Sequence, residues 1–294
     1  MHRTRRSLRE IASQEHPLVT PSAYDAFTVR IIERLGFKAF ALGGSTMLAA
    51  RYGLPDLGLA ALGEMVETAR DIIAATDLPC IMDGDDGYGD VKSVVRMMRI
   101  YEDMGVGAVV IEDQIREAKQ PGETKARGVV AIDVISQKLR AAVETRTNKD
   151  TMVIARCDAY GLEGLDACFR RCDAYLNVGV DGIFITGISS VEDLVRVGRT
   201  YKTTYTIANM IEGGALWLKP SELADLGFSQ VVYPNFVMLR AMLAVESALK
   251  ELQEFANGRA EPKILSDVGG ARNTFRELVR EPEWANLEKR FQRI

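Results

Sequence analysis

The sequence predicts an α/β protein built as a closed (β/α)8 barrel, and three observations support this prediction. The chain has 294 residues, of which 47% are hydrophobic, so it is long enough to bury one large core. A short sequence pattern recurs along the chain, in which a glycine lies between two apolar residues and is followed by an apolar run. Eight short apolar runs follow one another with helical stretches between them, which is the number of strands that such a barrel requires.

The repeated glycines predict where helices end and strands begin. They are Gly36, Gly105, Gly179 and Gly227, and each is flanked by apolar residues on both sides. Glycine adopts at little cost the left-handed backbone conformation that stops a helix. We therefore expect a helix before each of these glycines and a buried parallel strand after it.

The eight expected strands are the runs that follow these glycines together with four other short apolar runs. They are residues 19–22, 40–43, 80–83, 109–112, 153–156, 183–186, 206–209 and 231–234. An open doubly wound sheet is the alternative, but it would favour a G-x-G-x-x-G turn after the first strand, and the sequence has none there.

The C-terminal region lies outside this repeat. We expect a barrel domain over residues 1–256, which includes one long helix over 236–255, and a helical extension over 257–294. Because eight βα units already complete the barrel, the extension has no place in it. We expect this extension to pack on a partner subunit.

Composition and charge argue against several classes of protein. The 37 Lys and Arg residues nearly balance the 41 Asp and Glu residues, for a net charge of −4, so the sequence predicts neither nucleic-acid binding nor binding to a membrane surface. No apolar run reaches the length of a membrane span, and charges occupy the start of the chain where a signal peptide would be apolar. We expect a cytoplasmic protein.

The small number of histidines and the spacing of the cysteines argue against several kinds of active site. His2 and His16 are the two histidines of the chain, which disfavours a histidine-ligated zinc site and a Ser-His-Asp triad. The four cysteines lack C-x-x-C spacing, so we expect reduced packing residues. They are Cys80, Cys157, Cys168 and Cys172.

Acidic residues follow the third and fourth expected strands. In a barrel of this kind the active site is formed by the residues at the carboxyl ends of the strands. Asp83, Asp85 and Glu112 would meet there, and they offer only oxygen ligands, which suit Mg²⁺ or Mn²⁺ better than zinc. Such acids can also cap the following helices, but their convergence favours a metal site.

Two further elements at this end of the barrel are suited to carboxylates. Arg156, at the end of the fifth strand, offers a planar guanidinium that can donate two parallel hydrogen bonds. Backbone N–H groups of Gly44 and Ser45 could hold a second carboxylate. A divalent cation between two anion-binding groups predicts a site for a small di-acid and the chemistry of an enolate.

Six motifs, taken in order, resemble those of one enzyme superfamily. They are GLPDLG (53–58), MDGDDGYG (82–89), VVIEDQ (109–114), VIARCDA (153–159), ANMIEGG (208–214) and YP (233–234). The chain resembles the isocitrate lyase/phosphoenolpyruvate mutase superfamily, nearest to its methylisocitrate lyase branch.

The resemblance implies an assembly, a cofactor and roles for particular residues. It implies a homotetramer formed from two helix-swapped dimers, a Mg²⁺ ion and a pyruvate-enolate-type intermediate. Asp83, Asp85 and Glu112 correspond to the metal shell, with Asp56 as a supporting carboxylate. The substrate contacts would be Gly44, Ser45, Arg156 and Asn209.

The chain departs from this branch at two places. Its lyases carry a K-R-C-G-H loop whose cysteine is the catalytic acid, whereas residues 119–123 of this chain read KQPGE. The glutamate that is expected after strand six is replaced by Thr186. Cleavage by the usual route is therefore disfavoured, and either no side-chain acid is needed or Glu123, with Lys119 beside it, replaces the cysteine.

These observations predict a Mg²⁺-dependent carbon–carbon lyase that acts on a small 2-oxo or 2-hydroxy dicarboxylate, by decarboxylation or by retro-aldol cleavage. Arg156, Lys119 and Glu123 are the candidate catalytic residues. The alternative is a phosphonopyruvate hydrolase or phosphoenolpyruvate mutase that acts on a P–C bond. A non-catalytic barrel that binds a di-acid is a third interpretation.

Overall fold

The computed structural model describes residues 6–119, 128–262 and 265–292, and in them eight parallel strands form a barrel. Each strand pairs with the next one along the chain from β2 to β8, and β8 pairs with β1. A bridge between Ser22 and Ala41 connects β1 to β2. The strands are β1 Leu18–Pro21, β2 Phe40–Leu42, β3 Cys80–Asp83, β4 Ala108–Glu112, β5 Met152–Cys157, β6 Gly182–Ile185, β7 Tyr205–Asn209 and β8 Gln230–Tyr233.

Helices alternate with these strands. They are α1 Leu8–Gln14, α2 Ala26–Arg34, α3 Gly44–Tyr52, α4 Leu62–Ala74, α5 Val91–Met104, α6 Ile132–Thr145, α7 Tyr160–Glu163, α8 Leu165–Asn177, α9 Val191–Thr200, α10 Pro220–Leu226, α11 Phe236–Ala256, α12 Val268–Leu278 and α13 Glu281–Phe291. A short 3-10 helix covers Arg116–Ala118.

The predicted fold class is confirmed, and each predicted strand overlaps the observed one to within a residue at either end. All four repeated glycines have positive φ angles, between 78° and 100°, as expected for the left-handed end of a helix. The agreement arises because burial, helix stops and strand starts are all local properties of the sequence.

Two layers of apolar side chains form the core. Along β4 and β5, Val110 and Ile154 belong to an inner cluster, while their neighbours Val109 and Val153 belong to the larger cluster that includes the helices. Helix α1 contributes Leu8 to the inner cluster. A β-carbon on Gly107, which precedes β4, would lie 3.1 Å from Leu8, so α1 lies at the amino ends of the strands. The carboxyl ends remain available for polar side chains.

The chain forms two compact units, of which one ends at Phe236 and the other begins at Val237. The second unit contains most of α11 together with α12 and α13. Within it, Arg276 makes a two-pronged contact with Glu281 between the last two helices. Among the described helices, none is both long and apolar enough to cross a membrane.

The four cysteines are free and buried in the structure, as expected for packing residues. Cys157 ends β5, whereas Cys168 and Cys172 lie on one face of α8, four residues apart. They belong to the larger core cluster.

Candidate active site

The acids at the ends of β3 and β4, and just after β3, lie together at the carboxyl end of the barrel. Asp83 and Glu112 are the last residues of these two paired strands. Asp85 folds back over them, because its N–H donates to Asp83 Oδ1 at 3.0 Å and its carbonyl accepts from the Glu112 N–H at 2.8 Å. Asp85 has a φ angle of +47°, an uncommon backbone conformation for a non-glycine residue.

The turn after β3 requires glycine at one position. A β-carbon on Gly84 would lie 2.9 Å from the carbonyl oxygen of Val110 on β4, and the Gly84 N–H donates to the same oxygen at 2.7 Å. Glycine at this position therefore lets the turn lie directly against β4. This close approach brings Asp85 next to Glu112.

Lys119 lies at the centre of the acidic cluster. Its Nζ is 3.2 Å from Asp56 Oδ1, 3.2 Å from Asp85 Oδ1 and 3.4 Å from Glu112 Oε1. Three chain segments that are far apart in sequence thus supply carboxylates to one ammonium group. The predicted supporting acid, Asp56, does lie beside two of the three predicted metal ligands.

Asp83 differs from these three acids because its partners in the described residues are backbone N–H groups. Its Oδ2 accepts from the Gly44 N–H at 3.3 Å, and its Oδ1 accepts from the Asp85 N–H. Gly44 is the first residue of α3, so the positive end of that helix points at the Asp83 carboxylate. The Gly44 amide, which we predicted to bind substrate, is thus engaged with an acid of the chain.

Burial and charge shape the ionisation of this cluster. Burial raises the pKa of Glu112 to about 8, even though the Arg156 charge acts to lower it. Burial and the nearby Asp83 also raise the pKa of Asp85. Burial alone would lower the pKa of Lys119, but the charges of Glu112, Asp85 and Asp56 outweigh it and raise that pKa. Burial therefore disfavours the charged forms of Glu112 and Asp85 even with cations beside them, and a further positive charge at the site would favour those charged forms.

Arg156 connects the acidic cluster to the next strand. Its Nη1 lies 3.0 Å from Glu112 Oε2, and its Nη2 donates to Asp158 Oδ1 at 2.7 Å. The ends of the guanidinium are thus held by two carboxylates, while its Nε is buried without a partner among the described residues. Both terminal nitrogens of the predicted carboxylate clamp are thus engaged with acids of the chain, and the Nε donor is the one that a substrate could use.

Asp158 and Thr186 form a contact that sequence reasoning missed. Thr186 Oγ1 donates to Asp158 Oδ1 at 2.7 Å, the oxygen that also accepts from Arg156. In the described part of the chain, the other oxygen, Oδ2, is buried with no partner. The signal was available, since Asp158 lies within the VIARCDA motif that also contains Arg156.

Arg116 and Lys138 were also missed, and both bind Asp86, the acid next to Asp85. Arg116 donates to Asp86 Oδ1 at 2.6 Å and to the carbonyl of Ala60 at 3.1 Å. Lys138 donates to the Asp86 carbonyl at 2.8 Å. Their positions in the sequence gave no signal, because α6 and the 3-10 turn reach Asp86 only through the tertiary fold.

The remaining predicted residues are placed as follows. Asn209 ends β7, and its side-chain oxygen is buried without a partner in the described segments. Ser45 lies in the first turn of α3 and is half-buried. Glu123 lies outside the described residues, so the candidate substitute acid is not located.

The donor set suits a hard divalent cation, although the present arrangement does not form a metal site. Asp83, Asp85 and Glu112 offer only oxygen atoms, and a cationic group already lies against two of them. Among the described residues, no group of three or more His, Cys, Asp or Glu side chains is arranged to hold a metal ion. The chemistry of the donors fits Mg²⁺, whereas the oxygens needed to bind it are shared with an ammonium group.

The sequence matches a known enzyme family over most of its length. The family model described as phosphoenolpyruvate phosphomutase matches residues 8–253. A 2,3-dimethylmalate lyase of Eubacterium barkeri is 39% identical over 84% of this chain and 86% of its own length. A probable 2-methylisocitrate lyase of Corynebacterium glutamicum is 34% identical, over 86% of this chain and 82% of its own.

Among solved structures, an oxaloacetate acetylhydrolase in complex with 3,3-difluorooxalacetate superimposes with a TM-score of 0.87. It is 26% identical, and the match covers 96% of this chain and 95% of that one. The two sequence relatives are named as lyases, which confirms the predicted enzyme class, a carbon–carbon lyase. The chain belongs to the phosphoenolpyruvate mutase/isocitrate lyase superfamily.

Proposed function

We propose that this protein is a Mg²⁺-dependent lyase that breaks a carbon–carbon bond in a substituted malate or a related 2-oxo or 2-hydroxy di-acid. The observation that carries the proposal is the pairing of Arg156 with two buried acids, Glu112 and Asp158, beside Asp83 and Asp85. The site therefore contains carboxylate oxygens that can bind a cation, next to a guanidinium whose Nε has no hydrogen-bond partner among the described residues. A di-acid needs both features, one for its reacting oxygen and one for a carboxylate.

The groups that lack partners support a hydroxy or oxo di-acid as substrate. Arg156 Nε is a buried donor, and the side-chain oxygen of Asn209 is a buried acceptor. Buried polar groups are costly when unpaired, so a ligand that supplies an acceptor and a donor is favoured. A substrate carboxylate would pair with Arg156, and a substrate hydroxyl would donate to Asn209.

The bound cation would stabilise the negative charge that develops on the substrate oxygen next to the breaking bond. Asp83, Asp85 and Glu112 would hold this cation, directly or through water, and Asp56 would support it. Arg156 orients one substrate carboxylate while Glu112 and Asp158 fix the plane of its guanidinium. Asp158 is in turn held by Thr186, at the position where the resemblance led us to expect glutamate.

Two routes of cleavage differ in their need for an acid. In decarboxylation, carbon dioxide leaves and water can supply the proton that the remaining carbon requires. In retro-aldol cleavage, the leaving fragment is itself a carbanion equivalent and gains from a positioned acid. The similarity to a 2,3-dimethylmalate lyase favours the retro-aldol route, with Glu123 as the candidate acid.

A second candidate, a P–C bond enzyme, is favoured by one observation. The matching family model is described as phosphoenolpyruvate phosphomutase. Phosphonopyruvate also carries a carboxylate and a 2-oxo group, so the same site residues could bind it. It therefore belongs in the same substrate panel.

The proposal predicts that a substituted malate is cleaved only with a divalent cation. Purified protein would be assayed with 2,3-dimethylmalate, 2-methylisocitrate, oxaloacetate and phosphonopyruvate, with product identified by mass spectrometry. We expect cleavage of a malate derivative in Mg²⁺ or Mn²⁺, loss of activity in EDTA, and recovery when the metal is restored. Full turnover in chelator, or turnover of phosphonopyruvate alone, would contradict the proposal.

Arg156→Lys should lower kcat/KM by at least about tenfold on the best substrate of the panel. Lysine keeps the charge, but it cannot pair with Glu112, Asp158 and a substrate carboxylate in one plane. The matched control is Arg171→Lys, which changes another buried arginine that pairs with Asp113 and Glu163. If both variants keep wild-type kinetics while remaining folded by circular dichroism, Arg156 does not bind substrate.

Glu123→Gln separates the two routes of cleavage. If Glu123 is the acid, kcat should fall by about 10² to 10⁴, because glutamine keeps the size of the side chain and removes only its titrating group. Glu117→Gln, at an exposed position in the same segment, should leave kcat within about twofold. A Glu123→Gln variant within about threefold of wild type would exclude Glu123 and favour decarboxylation.

We propose that a second copy of the chain covers the apolar surface of the second unit, as part of a homotetramer. Large apolar side chains in α11 and α13 are more than half exposed, including Leu243 at 58% and Trp284 at 68%. Monomeric proteins rarely expose so much clustered apolar surface. A copy of the same chain is the partner that the expected helix-swapped dimer requires.

The assembly prediction is tested by light scattering coupled to size-exclusion chromatography. We expect a mass of about four chains of 32.5 kDa for the wild type, and a smaller species for Trp284→Glu. Arg259→Glu is a control at an exposed polar site in the same unit, and it should leave the mass unchanged. A wild-type protein that is monomeric at micromolar concentration would overturn the proposal.

A further inference from the structure

The contacts of Lys119 carry an inference about how the candidate cation site is filled. The Lys119 side chain is only 10% exposed, and its ammonium lies within 3.4 Å of oxygens from three acids. Two of these oxygens belong to Asp85 and Glu112, which we propose as metal ligands. A single ammonium thus lies against oxygens that a divalent cation would use.

The position of Lys119 follows from the turn that precedes it. The Lys119 N–H donates to the Arg116 carbonyl at 3.2 Å, which closes the short 3-10 helix. The side chain of Arg116 is itself fixed by Asp86 and by the Ala60 carbonyl. The residue just before this 3-10 helix, Ile115, is held as well, because its N–H donates to the Gly128 carbonyl at 2.9 Å.

A metal ion and the Lys119 ammonium would compete for these carboxylate oxygens. Mg²⁺ binds oxygen at about 2.1 Å, so an ion on Asp85 Oδ1 would lie within roughly 5 Å of Lys119 Nζ, in a buried environment where like charges repel strongly. Each oxygen would also have to turn its lone pairs from the ammonium toward the metal. Binding of one cation therefore disfavours the other.

We propose that Lys119 is a resident counter-ion that competes with the divalent cation for Asp85 and Glu112 and also pairs with Asp56. This inference rests on the proposed cation site and goes beyond it, because it assigns Lys119 a role before any substrate binds. Without metal, Lys119 keeps the three carboxylates together. Metal loading displaces its ammonium from them, so the affinity of the site for metal includes the cost of breaking three ion pairs.

The inference predicts that Lys119→Met strengthens metal binding. Mn²⁺ titrated into metal-free protein would be followed by isothermal titration calorimetry and by the paramagnetic resonance signal of free Mn²⁺. We expect the Kd of Lys119→Met to be at least about tenfold lower than that of the wild type, because apparent affinity scales with the fraction of sites that are free to bind. Lys119→Arg keeps the competing charge and should bind no more tightly than the wild type.

Lys138→Met is the matched control. Lys138 is similarly buried, with 12% of its side chain exposed, and pairs with Asp86, which is outside the proposed ligand set. Its loss removes one positive charge near the site without freeing a ligand, so the Kd for Mn²⁺ should fall by no more than about threefold. If Lys138→Met and Lys119→Met gained Mn²⁺ affinity equally, the cause would be the loss of a positive charge near the site and not the release of a ligand. That result would overturn the inference.

A second measurement keeps the test decisive if Lys119→Met folds poorly. In thermal melts, Mn²⁺ should raise the Tm of Lys119→Met and of Lys119→Gln by more than that of the wild type, because three carboxylates lack their counter-ion until metal binds. Equal Mn²⁺ affinity in wild type and both uncharged variants would overturn the competition and leave the cation site standing. Failure of every variant to bind Mn²⁺ at millimolar concentration would overturn both proposals.

Discussion

The concentration of buried negative charge at the carboxyl ends of β3 and β4 is the constraint on which the rest of the site depends. Charged groups lose favourable hydration when they are buried, so carboxylates that lie this close together need cations to remain ionised. Lys119 pairs with Asp56, Asp85 and Glu112, and Arg156 pairs with Glu112 and Asp158. The same charge makes the site attractive to a divalent cation.

The barrel explains why these residues meet. Parallel strands bring their carboxyl ends to one edge, so single acids at the ends of neighbouring strands become a cluster without being near one another in sequence. Gly84 lets the turn after β3 approach β4 closely, and Arg116 and Lys138 hold that turn through Asp86. The backbone of Asp85 is thereby kept in a conformation that it would otherwise rarely adopt.

The part of this arrangement that depends on local properties could be predicted from the sequence. Strand ends followed from apolar runs and helix stops, so Asp83, Glu112, Arg156 and Asn209 could be placed at the same edge. The partners of these residues could not be predicted in the same way. Lys119 was singled out because of its loop, but its contacts depend on how a turn between β4 and α6 folds back over the barrel.

The proposed function depends above all on a divalent-cation site formed by Asp83, Asp85 and Glu112, from which Lys119 is displaced. Diffraction from crystals soaked in Mn²⁺, recorded at the manganese absorption edge, tests both halves of this claim at once. We expect one strong anomalous peak among these three carboxylates, with Lys119 Nζ moved away from Asp85 and Glu112. A peak elsewhere, or a peak at this position with Lys119 still in contact with both acids, would contradict it.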